Sequence, residues 1–101
     1  MTALRWTETA AGDLESIRDY IAHDSPTIAQ LVVARLYETV SVLRDYPDAG
    51  RTVPERNDPS LRESIRPPYR IVYERRSDSV VILTVFHAAR TFPPDIAPPA
   101  R

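Results

Sequence analysis

Three polar residues late in the chain, Arg70, His87 and Arg90, could do chemistry together. An arginine presents a planar fork of donors that grips a phosphate or carboxylate at two points. A histidine gains or loses its proton near neutral pH. All three lie within or just beyond two runs that read as strands, Tyr69 to Glu74 and Val80 to Phe86. A sheet is rigid enough to hold such groups in place. The second run is apolar at almost every position and rich in β-branched residues, the pattern of a strand covered on both faces. In the first, Tyr69, Ile71 and Tyr73 share one face, and Arg70, Val72 and Glu74 share the other. The short polar stretch Arg75 to Ser79 joins the two as a hairpin.

The charge follows these strands. Net charge is −1, but residues 1–60 hold six Arg against ten acids, and residues 61–101 hold seven Arg against four. All 13 basic residues are arginine, which biases every cationic site toward forked binding. At 101 residues without cysteine, the chain has room for one core and needs no staple, and disulfide or thiolate chemistry is excluded. His23 has no second histidine or cysteine at metal spacing, so neither a metal nor a cofactor is expected. No apolar run reaches membrane-spanning length and the first residues lack a signal-peptide core. A cytoplasmic protein without a membrane partner is the expectation.

The elements that position the arginines are legible in chain order. Leu4 and Trp6 flank Arg5 as a short strand, and Thr7 caps the helix beyond it. Ala10, Leu14, Ile17 and Ile21 form the stripe of that helix, with Glu8 in the first turn. Ser25-Pro26 restarts a helix whose stripe runs through Ala29, Val32, Val33, Leu36, Val40 and Leu43, until Pro47 stops it. Asp48 to Ser60 shows no periodicity and reads as a surface loop that could present Arg51 and Arg56. Leu61 to Arg66 reads as a short, charged edge strand ended by Pro67-Pro68. The Pro-rich tail, residues 93–101, reads as frayed or extended beyond a domain of residues 1–92.

The fold class is therefore α+β, with the order β-α-α-β-β-β: a two-helix hairpin packed on one face of a mainly antiparallel four-stranded sheet. The other face, with Val72, has no evident cover, and an apolar face of that kind needs a partner.

From Trp6 to about Phe92 the chain resembles the RelE/ParE superfamily of toxins from bacterial type II toxin–antitoxin systems. The elements are Ala10 with Asp13-Leu14 and Ile17, Tyr20-Ile21, Pro47 with Gly50-Arg51, Arg62-Glu63, Tyr69-Arg70-Ile71-Val72-Tyr73, and Val85 with His87 and Arg90. Their order and spacing, more than any one motif, carry the likeness. It implies a toxin held inactive by a cognate, DNA-binding antitoxin encoded beside it, whose flexible segment wraps the toxin. Arg62, Arg70, Tyr73, His87 and Arg90 are then the candidate groups for binding a target or the antitoxin.

Two mechanisms exist in the superfamily. RelE-like members cut mRNA on the ribosome; here Arg70, His87 and Arg90 would be the catalytic groups. The lysines such enzymes use are absent, and Phe92 stands near the place of their terminal tyrosine. ParE-like members inhibit DNA gyrase by binding and need no acid–base set. The first-helix pattern, Gly50-Arg51 and the Val85-Phe86-His87 ending lean to that branch. Structural roles compete: Arg70 pairing with Glu63, Tyr73 in the core, His87 capping the sheet. A toxin-like fold kept only as an interaction module, without growth arrest, is the third reading.

Overall fold

The computed structural model describes residues 2–94 and 96. Strand β1 (Ala3–Trp6) leads into helix α1 (Glu8–Ala22) and helix α2 (Pro26–Asp45); strands β2 (Arg51–Thr52), β3 (Leu61–Arg66), β4 (Tyr69–Arg75) and β5 (Ser79–His87) come after them. Thr7 caps α1 by accepting from the Ala10 N–H at 3.1 Å, and its hydroxyl donates to the Ile82 carbonyl at 2.8 Å, so one side chain starts the helix and ties it to the sheet. Ser25 caps α2 in the same way through the Ile28 N–H, with Pro26 in its first turn.

The sheet order is β1-β5-β4-β3-β2. β1 runs parallel to β5, whereas the β5-β4, β4-β3 and β3-β2 pairs are antiparallel. As expected, β5 is flanked on both sides. The sheet has five strands and not four, because β2 adds two residues, Arg51 opposite Glu63 and Thr52 opposite Arg62. Leu61–Arg66 is consequently covered along part of its length, and only its second half, beyond Glu63, lies on an open edge.

Helices α1 and α2 pack on one face over Ile71, Tyr73, Val80, Ile82 and Val85, with Ala10, Leu14, Leu36, Val40 and Leu43 as their contribution. The opposite face does not lie open, contrary to the sequence-based expectation. Val72, Val81, Leu83 and Phe86 are buried there together with Val53 and Leu61, with Phe92 and Ile96 packed against them. The aperiodic stretch thus supplies a core residue, Val53, and the beginning of the Pro-rich tail serves as a cover. The remainder of that tail, Asp95 and residues 97–101, lies outside the described residues. Among the described residues no helix is long and apolar enough to cross a membrane.

One irregularity shapes the end of β5. Val72 faces Thr84 and Tyr73 faces Ile82, so Leu83 is an extra residue and β5 carries a bulge. Asp13 of α1 lies beside it: its Oδ2 accepts from the Thr84 hydroxyl and from the Val85 N–H at 3.1 Å. A helix carboxylate therefore satisfies a β5 amide beyond Ile82, the last β5 residue that pairs with β1.

Candidate functional site

Arg70 is the most tightly held of the five candidate residues. It is 9% exposed, and its guanidinium meets two carboxylates. Nη1 and Nη2 donate to the two oxygens of Glu55 at 2.9 and 2.8 Å, as a bidentate fork. Nε donates to Glu63 Oε1 at 2.8 Å, and Nη2 reaches the same oxygen. Glu63, whose side chain is fully enclosed, also receives Arg51 Nε on its other oxygen at 2.5 Å. Register explains the arrangement. Ile65 stands opposite Arg70 and Glu63 opposite Val72, so Glu63 and Arg70 are diagonal neighbours on one face. The hydrogen bonds to Glu55, and those to Glu63 beside them, hold the Arg70 cation even more firmly protonated than usual against the opposing effect of burial. The Arg70 fork in turn lowers the Glu55 carboxyl below its ordinary value of 4.5.

Tyr73 points to the other side of the sheet, into the core under the helices, and is completely buried. Its hydroxyl donates to the Pro47 carbonyl at 2.8 Å and accepts from the Gly50 N–H at 2.9 Å. Burial pushes its pKa up. Gly50 belongs there because a Cβ would lie 2.5 Å from the Glu63 carbonyl oxygen and 2.6 Å from the Tyr73 hydroxyl. Arg62 is half-buried, donating from Nη1 to the Gly50 carbonyl at 2.9 Å with Asp48 3.8 Å from its Nε. Arg70 and Tyr73 thus offer no free group to a partner, and Arg62 offers little.

His87 and Arg90 are different. Both are exposed and share one turn, in which the Arg90 N–H donates to the His87 carbonyl at 2.9 Å. His87 Nδ1 accepts from the Ala89 N–H at 3.0 Å, so in the neutral ring the proton sits on Nε2, pointing away from that bond. Tyr69 meets the ring edge-on with centroids 5.9 Å apart. Among the described residues the Arg90 guanidinium has no ion-pair or hydrogen-bond partner. It lines a cavity of about 500 Å³ together with Thr7, Thr9, Asp13, Leu83 and Phe86.

The five residues consequently form no single constellation. Arg70 and Tyr73 occupy opposite faces, and His87 with Arg90 forms a separate exposed pair. Glu55, the second carboxylate on Arg70, gives no sequence signal, since it sits in a stretch without periodicity. Nor does the sequence mark Phe92 as a partner, although its ring centroid lies 5.3 Å from the Cζ of Arg70 and 5.3 Å from that of Arg56.

A second set of exposed groups lies on the helices. Ile28, Leu31, Tyr37, Val42 and Tyr46 are 47–65% exposed on α2 and just beyond it, and Tyr20 of α1 is 81% exposed. Two shallow grooves run between α2 and the open half of β3, sharing Arg66 and bordered by Arg35 in one and Val42 in the other.

Comparison with known proteins agrees with this architecture. A family model described as the ParE toxin of type II toxin–antitoxin system, parDE, matches residues 4–92. The chain is 40% identical to Toxin RelE2 of Caulobacter vibrioides over 91 residues, covering 89% of this chain and 99% of that protein. It is 44% identical to the putative toxin Y4kP of Sinorhizobium fredii over 92 residues, covering 89% of this chain and 92% of the relative. Among solved structures, the chromosomal ParDE system from P. aeruginosa superposes with a TM-score of 0.71 at 28% identity, covering 86% of this chain and 96% of the other. The toxin–antitoxin complex RelBE2 from Mycobacterium tuberculosis superposes with a TM-score of 0.63 at 27% identity, covering 85% and 96%. A family match from residue 4 to residue 92, on the same helical hairpin and sheet that these residues build, places the chain in the ParE toxin family of the RelE/ParE superfamily, as a toxin of a type II toxin–antitoxin system.

Proposed function

We propose that the toxin arrests growth by binding and inhibiting DNA gyrase, and that a cognate antitoxin neutralises it. The observation that carries this reading is the state of Arg70. In a phosphate-cleaving site that guanidinium would have to meet a crowded anion, but here Glu55 and Glu63 already occupy it. With Arg51 counted, the ion-paired groups are two cations and two carboxylates, so the charge of Arg70 is already matched, and Arg56, the further cation on the Phe92 ring, is engaged by the Pro93 and Pro94 carbonyls. An incoming phosphate would also have to displace Glu63, whose removal from a buried pair is costly. Loss of one general acid or base typically costs on the order of a hundredfold to ten-thousandfold in rate. A binding inhibitor needs only contact area and a few anchors, for which arginine and aromatic side chains are favoured. His87 and Arg90 present one exposed turn for that purpose.

The antitoxin reading is supported by the apolar side chains along α2, with Arg35 and Arg66 at the groove rim, a surface suited to an acidic amphipathic segment. The P. aeruginosa and M. tuberculosis structures are both toxin–antitoxin systems. The second reading, ribosome-dependent mRNA cleavage, has one observation in its favour: His87 and Arg90 are both exposed and three residues apart, a proton carrier beside a free cation. One experiment separates the two. Purified toxin is expected to block gyrase supercoiling and to leave ribosome-bound mRNA intact. Cleavage in the ribosomal A site, abolished by His87→Ala or Arg90→Ala, would replace this reading with the RelE-like one.

A further inference from the structure

Arg90 has no side-chain partner among the described residues, so the backbone on either side must set where its guanidinium reaches. Upstream the anchor is plain: the Ala88 N–H donates to the Pro68 carbonyl at 2.8 Å, directly beyond β5. Downstream the anchor is Phe92. Its ring meets Phe86 edge-on at 5.8 Å, and two guanidinium groups approach it, Arg70 and Arg56, each with Cζ 5.3 Å from the ring centroid. Arg56 Nη2 then donates to two successive carbonyls, Pro93 at 3.3 Å and Pro94 at 3.1 Å. Prolines have no backbone N–H to offer, so their carbonyls are the only main-chain handles of this segment. One guanidinium takes both.

We propose that Arg56 is a positioning residue for the target-facing turn: with Phe92 it forms a clasp that fixes the chain just after Arg90 and so aims that guanidinium. The inference rests on the proposed function only in taking Arg90 as a group that meets the target. A simple cover for the apolar face would need nothing but bulk at position 92, and a leucine would serve. Two arginines converging on the ring require its π face. Arg56 also comes from the segment after β2, so the clasp joins chain positions 37 and 38 residues apart. It is not a local feature of the turn.

The test uses the full chain with Arg56→Gln, Phe92→Leu and Phe92→Tyr, measuring growth-arrest potency, affinity for the antitoxin, melting temperature and amide exchange across residues 89–92. Arg56→Gln and Phe92→Leu are expected to lower potency about tenfold, the scale of one lost part-buried cation–π contact. Antitoxin affinity should hold and the melting temperature should fall by only about ten degrees or less while exchange at residues 89–92 accelerates, and Phe92→Tyr, which keeps the ring, should retain potency. The clasp is refuted if folded Arg56→Gln keeps full potency, or if potency and antitoxin affinity fall together with the melting temperature. Should Arg56→Gln fail to fold, the Phe92 pair decides, and equal behaviour of its leucine and tyrosine variants refutes the clasp. A wild-type chain that arrests growth without touching gyrase overturns only the gyrase reading, because potency in cells still judges the clasp. One that arrests nothing overturns both.

Discussion

Glu63 shows how a single residue can turn a candidate site into a framework. Its carboxylate is enclosed and held by Arg51 and Arg70 from two different strands, so deleting either partner leaves buried charge without full compensation. Arg70→Gln is expected to destabilise the fold by about 3–5 kcal/mol, read by urea denaturation. The double variant Glu63→Gln with Arg70→Gln should recover part of that loss, since the two residues act as one unit. Acid acts on the same cluster through Glu55. Because the folded-state pKa of Glu55 lies below its ordinary value of 4.5, the pair contributes stability above that pH and loses it as the pH falls through the folded value. The stability difference between wild type and Glu55→Gln should therefore shrink between pH 6 and pH 3, roughly the range that brackets carboxyl titration. A difference constant across that range contradicts the assignment. At this scale the pairing of Arg70 with Glu63 is legible in the sequence, as opposite charges on adjoining strands. The Glu55 contact is not, because a loop residue without period carries no register. The same is true of the Tyr73 hydroxyl, whose partners Pro47 and Gly50 belong to a turn that only the fold brings near.

Elements with a clean period can be read from sequence, and those without one cannot. The stripes of α1 and α2, the Ser25-Pro26 restart and the Pro47 stop all rest on local chemistry that needs no tertiary information. β2 has two residues, too few for any period, and exists because Arg51 and Thr52 find partners on β3. The bulge in β5 is hidden for a related reason: an unbroken apolar run has no alternation, so an extra residue shifts nothing visible. The register with β4, Val72 opposite Thr84 and Tyr73 opposite Ile82, reveals it. Asp13→Ala is expected to leave the Val85 N–H and the Thr84 hydroxyl unpaired and to cost about 1–3 kcal/mol, measured by denaturation, with faster amide exchange at Val85. Unchanged exchange there would mean that water replaces the carboxylate. The cover on the second face escapes a sequence reading because a proline-rich segment looks unfit to pack. Prolines forbid ladder hydrogen bonds only, and Phe92 and Ile96 around them still bury side chains.

For the molecule as a whole, partner surfaces and core are well separated. The sheet is covered on both faces, so the apolar surface left for a partner lies on the outer side of the helical hairpin. Leu31→Glu combined with Val42→Glu is expected to weaken antitoxin binding at least about tenfold, as truncated interface anchors do. Both residues are about half exposed, so the melting temperature should barely move. Calorimetry against the antitoxin checks this, and full affinity in the double variant would place the interface elsewhere. The pairing of β1 with β5 carries a last consequence, which concerns synthesis. Among the described residues β1 finds its one sheet partner in β5, far along the chain, and both cores take side chains from β5: Val80, Ile82 and Val85 on one face, Val81, Leu83 and Phe86 on the other. A nascent chain emerging from the ribosome consequently has neither core until residue 86 is out, because pairing across such a sequence distance must wait for its far end. The sheet is thus completed only once β5 has been made, so translation of the earlier elements alone yields no folded toxin.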